Sequence, residues 1–200
     1  SFVFANPLFD RDSKRISDTK QSKSSFELNT SQSRSIDSRN FEWASLPGTA
    51  KEGKFIANLI NANLLVGDKA TAKKIINIKN PEILHIASHS FYLKNQENNI
   101  ESLNYSLITK NSKPLKYFAK NENPLLRSGI VLAGANNPDL NQEDDGYLTA
   151  LEIAQLDWRE TELVVISGCE SGLGEIKNGD GIYGLKRAIS VAGAKSSLLS

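Results

Sequence analysis

The sequence predicts an α/β fold with a mostly parallel central sheet flanked by helices. Three observations carry this. Leu163–Ile166 is an unbroken apolar run, as expected of a central strand covered on both faces. Ile83–Ala87 is a second such run. Strand-like and helix-like patterns alternate along the chain, the rhythm a parallel sheet requires, and right-handed crossovers then put helices on either face.

In chain order, Ser1–Ala5 reads as a first strand that ends at an Asn6-Pro7 turn. From about residue 10 to 42 the composition turns to serine interleaved with Lys, Arg and Asp, which cannot bury enough apolar surface to offset its ordering entropy. This stretch is expected to be a flexible insert open to proteolysis. Leu46-Pro47-Gly48 is a turn, and Thr49 with Glu52 three residues on has capping-box spacing. The helix so begun should reach about Asn61 and bury Phe55, Ile56, Leu59 and Ile60. Ala62–Val66 is the next strand and Ala70–Ile76 the next helix. After Ile83–Ala87, the segment Tyr92–Leu115 is polar and lacks period; short strands or a hairpin are expected there. Leu125–Ala133 holds another strand, centred on Gly129–Leu132. Thr149 and Glu152 form a second capping-box match, with a helix to about Leu156. The strand at Leu163–Ile166 follows, then a helix Ile182–Ala192 closed by Gly193, then a last strand from Ser196.

Two hundred residues suffice for a single domain with one core. Hydrophobic content of 39% and charged content of 24% are those of an ordinary globular chain. A net charge of +1 argues against nucleic-acid or membrane-surface binding driven by bulk charge. One cysteine allows no internal disulfide, no apolar run is long enough to span a membrane, and no signal peptide opens the chain. A cytoplasmic location is the expectation. The chain starts without methionine and stops within an apolar run, which reads as a piece cut from something longer, truncated at its C-terminal end.

The chemistry-bearing residues sit at strand ends. Cys169 follows Ser167-Gly168 just past the apolar run, where open α/β sheets bind ligands. A lone cysteine is more often inert packing. The second short strand, however, also runs on to a reactive side chain, His89. If the two strands are parallel neighbours, His89 and Cys169 emerge at one sheet edge. An imidazole there can take the thiol proton, and the thiolate is the nucleophile. His85, in the middle of its strand, reads as a buried histidine hydrogen-bonded to backbone and is not counted as catalytic.

Several blocks together resemble the CHAT peptidases, relatives of caspases and separases. HIASHS at residues 85–90 is similar to the family pattern H-I/L/V-A-T/S-H-G. ISGCESGLGE at 166–175 is similar to S/G-A/G-C-E/Q-S/T-G-L-G, and GIYGLKRAISVAGA at 181–194 to G-L/I-x-R-x-F/I-x-x-A-G-A. FANPLFD, LPGTAKE, LLRSGIVLAGANN and DGYLTALEIAQLDWRETELVV match further pieces in the same order. The resemblance covers nearly all of the chain except roughly residues 10 to 42. It implies a caspase-like three-layer fold and a cysteine endopeptidase, with His89 as general base and Cys169 as nucleophile. It assigns the oxyanion donors to the backbone amides of Ser90 and Cys169, and it implies a protein or peptide substrate. Family members often carry helical repeats in the same chain, which would supply a regulatory region; none is visible in these residues. The family usually has glycine at the position of Ser90. Serine keeps the amide, but a positive φ there would cost about 1–2 kcal/mol of strain.

No cofactor and no metal are expected. The glycines after Cys169 lack the third glycine of a dinucleotide loop, and two histidines with one cysteine do not make a zinc site. They fit a tight turn and a mobile loop, Gly172–Tyr183, that could switch activity. Asp144, Asp145, Glu170, Glu175 and Asp180 flank the mouth, where solvated loop carboxylates are the ordinary reading; Asp145 and Glu170 are substrate-binding candidates that would favour a basic side chain. Ser167 stands where metacaspases carry an acidic pocket residue, and its neutrality weakens that preference. Two other functions compete with the peptidase: an inactive or weakly active CHAT-like interaction scaffold, and a redox-sensing thiol domain.

Overall fold

A computed structural model describes residues 1–10, 42–92, 124–137, 144–168 and 180–200. The insert at 11–41, most of Tyr92–Leu115, and Cys169, Glu170 and Glu175 lie outside the described residues. The strands are β1 (Phe2–Pro7), β2 (Asn63–Gly67), β3 (Ile83–Ala87), β4 (Ser90–Tyr92), β5 (Ser128–Val131), β6 (Tyr147–Thr149), β7 (Leu163–Ser167) and β8 (Ser196–Leu199). The α-helices are α1 (Pro47–Leu59), α2 (Ala72–Asn77), α3 (Ala150–Ile153) and α4 (Asp180–Ala192). Five strands form a wholly parallel sheet in the order β2-β1-β3-β7-β8. The other three form a small antiparallel sheet, β4-β5-β6.

Strand alternation sorts the large sheet into two faces. Phe4, Ile86 and Ile166 are in register across β1, β3 and β7, as are Phe2, Leu84 and Val164 two residues before. All but the half-buried Phe2 are buried with Ile75 of α2, Ile153 of α3 and Leu185, Ala188, Ile189 and Ala192 of α4. Val3, His85 and Val165 share the opposite face, and α1 lies there. The result is the helix–sheet–helix layering of a caspase-like fold. No helix among the described residues is long and apolar enough to cross a membrane.

Several expectations need correction at α1. Thr49 is not its N-cap: the helix starts at Pro47, with Leu46 as an N-cap that makes no side-chain bond. Proline at the first helical position presets the backbone and so moves the start forward. Thr49 Oγ1 instead donates to the Leu46 carbonyl and accepts from the Asn6 amide, tying the helix to β1. Nor do Phe55 and Leu59 form the inner face; they are 67% and 69% exposed, whereas Gly53 and Ala57 are buried. Small residues win because the helix comes very close to the sheet: a Cβ on Gly53 would lie 2.4 Å from the Ala5 Cβ. Gly53→Ala is therefore expected to lower the thermal midpoint. The ~1 kcal/mol that alanine usually contributes within a helix is outweighed by an overpacking cost of about 1–3 kcal/mol. A midpoint equal to or above the parent's would show that α1 can lift without cost.

His85 is buried as expected, but its partner is not backbone. Its Nε2 lies 3.0 Å from Glu52 Oε1 on α1. The second capping box holds: Thr149 accepts from the Glu152 amide while the Glu152 carboxylate accepts from the Thr149 amide. Gly193 ends α4 at a φ of 100°, as a C-terminal glycine should.

Candidate active site

β3 and β7 are direct parallel neighbours, with Ala87 opposite Ser167. Their pairing continues one residue further, because the Ser88 amide donates to the Ser167 carbonyl at 3.1 Å. Gly168 then packs against the Ser88 backbone so tightly that a Cβ there would sit 1.8 Å from the Ser88 carbonyl oxygen. Its own amide donates to the Ser200 carbonyl. The residue before Cys169 and the residue before His89 are thus in contact at one sheet edge.

The small sheet begins at the same edge. Ser88 Oγ donates to the Val131 carbonyl on β5, and the Val131 amide donates to the His89 carbonyl. The second bond sets the register of β4 on β5. Ser90 and Ile130 then face each other as a non-hydrogen-bonded pair, so the Ser90 amide points away from β5. Its nitrogen is 3.8 Å from the position that a Cβ on Gly168 would take. Ser90 does not have a positive φ; among the described non-glycine residues only Asn6, Asn61 and Asn80 do. The strain anticipated for serine at this position is absent.

His89 is half-buried between two aromatic rings. The Phe9 ring centroid is 5.3 Å from that of the imidazole and the Trp43 centroid 5.4 Å, at interplanar angles of 38° and 39°. Nε2 lies 2.9 Å from the Ala44 carbonyl oxygen. A carbonyl can only accept, so Nε2 carries the proton, and in the neutral ring Nδ1 carries the lone pair. A base with its acceptor nitrogen fixed in this way is suited to taking a proton at Nδ1.

The flanking cluster is Phe9, Trp43, Phe91, Val131, Ala135 and Tyr147. Trp43 Nε1 donates to the Tyr147 hydroxyl at 3.0 Å, and Phe91 meets Tyr147 edge to face. Of the residues singled out from sequence, His89 and Ser90 follow the end of β3, and Ser167 ends its neighbour β7. Ser167 is half-buried at the end of β7, its carbonyl bonded to Ser88. Asp145 uses Oδ1 to accept from the Tyr147 amide two residues on, which shapes the entry to β6. Sequence reasoning missed Phe9, Trp43, the Ala44 carbonyl and Asn136. A tryptophan at the end of a serine-rich stretch was a usable signal; a backbone carbonyl leaves none.

No curated protein and no solved structure matches the chain. A family model described as CHAT domain matches residues 1–200 of the chain. The chain belongs to the CHAT domain family.

Proposed function

We propose that this caspase-like domain is a cysteine endopeptidase in which His89 and Cys169 act as a dyad on a protein or peptide substrate. The observation that carries the reading is the contact of Gly168 with Ser88, since each precedes one of the two reactive residues. Only one chain step, ~3.8 Å between Cα atoms, separates Gly168 from Cys169. In this mechanism Nδ1 of His89 takes the thiol proton, and the thiolate sulfur attacks the scissile carbonyl carbon. The carbonyl π electrons move to oxygen, and the oxyanion is met by the amides of Ser90 and Cys169. The imidazolium then protonates the leaving amine as the C–N bond breaks, leaving an acyl-enzyme. Water, deprotonated by His89, cleaves the thioester and restores the thiol. Control is assigned to a regulatory region elsewhere in the full-length protein and to the Gly172–Tyr183 loop.

Labelling with acyloxymethyl-ketone peptides tests this reading. The parent is expected to be modified at its single cysteine, and both Cys169→Ala and His89→Ala are expected to abolish modification. A folded parent that resists a broad peptide panel would favour the scaffold reading instead. Modification at the parent rate in His89→Ala would identify a thiol that acts without the histidine.

A further inference from the structure

We infer that Asn136 is a positioning residue for His89: its side chain holds the Trp43 backbone and its own backbone holds Phe9, the two aromatic jaws around the imidazole. The jaws reach the site from either side of the serine-rich stretch, Phe9 from the continuation of β1 and Trp43 from the segment that leads into α1. Asn136 sits in the turn after β5 and meets both. Its backbone amide donates to the Phe9 carbonyl at 3.1 Å. Its carboxamide oxygen accepts from the Trp43 amide at 2.7 Å, and its Nδ2 donates to the Trp43 carbonyl at 3.1 Å. The second Nδ2 hydrogen goes to Asp10 Oδ1 at 3.0 Å. Both amide hydrogens and the amide oxygen are thereby used, which fixes the orientation of the carboxamide.

This matters because the position of Trp43 determines that of its neighbour Ala44. The Ala44 carbonyl holds the His89 Nε2 proton, and the Trp43 and Phe9 rings fix the plane of the imidazole. The Asn136 side chain joins the Trp43 backbone to Asp10, the residue after Phe9. Asparagine is suited to this place because it presents an acceptor and a donor side by side, and so bonds both polar groups of one peptide residue as a neighbouring strand would. Aspartate keeps the acceptor but loses the donor, and it would face the Asp10 carboxylate.

The inference rests on the proposed dyad for its effect at the thiol, but its first readout does not. The chain has two histidines, so imidazole nitrogen NMR resolves His89, with His85 as an internal control bound to Glu52. In Asn136→Ala and Asn136→Asp the Nε2-protonated signature of His89 is expected to give way to averaged tautomers, while His85 is unmoved. Adding Asp10→Asn to Asn136→Asp lets the carboxamide placed at position 10 donate to the carboxylate placed at 136, and should return the His89 signal part-way to the parent's. The inactivation rate constant with the ketone should fall by ~10²-fold in either single variant, with its half-saturation concentration unchanged, as for a misplaced base. If Asn136→Ala does not fold, the near-isosteric aspartate and its paired variant decide the matter. A His89 signal unchanged in the folded single variants, or His85 and His89 shifting together, overturns the inference. A shifted His89 signal in a protein whose parent never labels leaves the positioning role standing and removes the peptidase reading.

Discussion

Gly168→Ala is expected to part the ends of β3 and β7, lowering the thermal midpoint by roughly 6–12 °C, as a loss of about 3 kcal/mol would in a chain of this size, and abolishing covalent labelling. The reason is space and not backbone conformation, since Gly168 is not among the described glycines with positive φ. An added Cβ would meet the Ser88 carbonyl oxygen at 1.8 Å and the Ser88 carbonyl carbon at 3.1 Å. Both are backbone atoms, so no side-chain rotation relieves the clash. Relief requires breaking the Ser88–Ser167 bond or the Gly168–Ser200 bond, in addition to an ordinary overpacking cost of about 1–3 kcal/mol. The family pattern that ISGCESGLGE resembles admits alanine or glycine at this position. With the Ser88 carbonyl placed as it is here, alanine does not fit, which makes the substitution a direct probe of the close approach. Gly48→Ala is the control: nothing lies within 4 Å of a Cβ at Gly48. Normal melting and labelling in Gly168→Ala would show that the two strand ends can separate without loss.

The sequence was legible where periodicity and burial agree. Ile83–Ala87 and Leu163–Ser167 lie between helical layers and are buried or half-buried along their length, so their apolar runs show no regular polar alternation to confuse the reading. The placement of His89 and of the Gly168 edge followed from treating these two strands as neighbours. The Thr149–Glu152 box was legible because it involves only local hydrogen bonds. α1 was misread because helical period alone identifies an apolar stripe and not its distance from the sheet. Gly53 and Ala57 allow an approach that Phe55 and Leu59 would prevent, and the larger residues point outward. β6 was missed because three residues, Tyr147–Thr149, are too few to show alternation. The setting of His89 was illegible for a different reason. It depends on the Ala44 carbonyl and on an asparagine bonded to tryptophan backbone at a sequence separation of 93, and neither leaves a pattern in the chain. The resemblance to the family covered LAGANN, yet it gave Asn136 no role.

Trp43→Ala should be the most damaging change outside the proposed dyad. Trp43 is 5% exposed, and truncating a buried tryptophan costs ~3–5 kcal/mol through lost burial and the cavity left behind. At this site the loss is also directional. The indole forms one wall of the His89 cage, and its Nε1 bond to Tyr147 ties that wall to β6. Without the ring, the Glu42–Leu46 segment loses its one buried aromatic anchor in this cluster, and the Ala44 carbonyl is no longer held against Nε2. We expect a midpoint lower by roughly 6–12 °C for the first 3 kcal/mol lost, together with loss of labelling that stabilising additives do not restore. Trp43→Phe separates the two effects. It keeps an aromatic wall on His89 but removes the Nε1 donor, leaving the Tyr147 hydroxyl without that partner, at a cost of about 1 kcal/mol. Labelling by Trp43→Phe should therefore persist under conditions where both proteins are folded. Equal labelling by the alanine and phenylalanine variants, measured well below either midpoint, would show that Trp43 only fills space and that the orientation of His89 is set elsewhere.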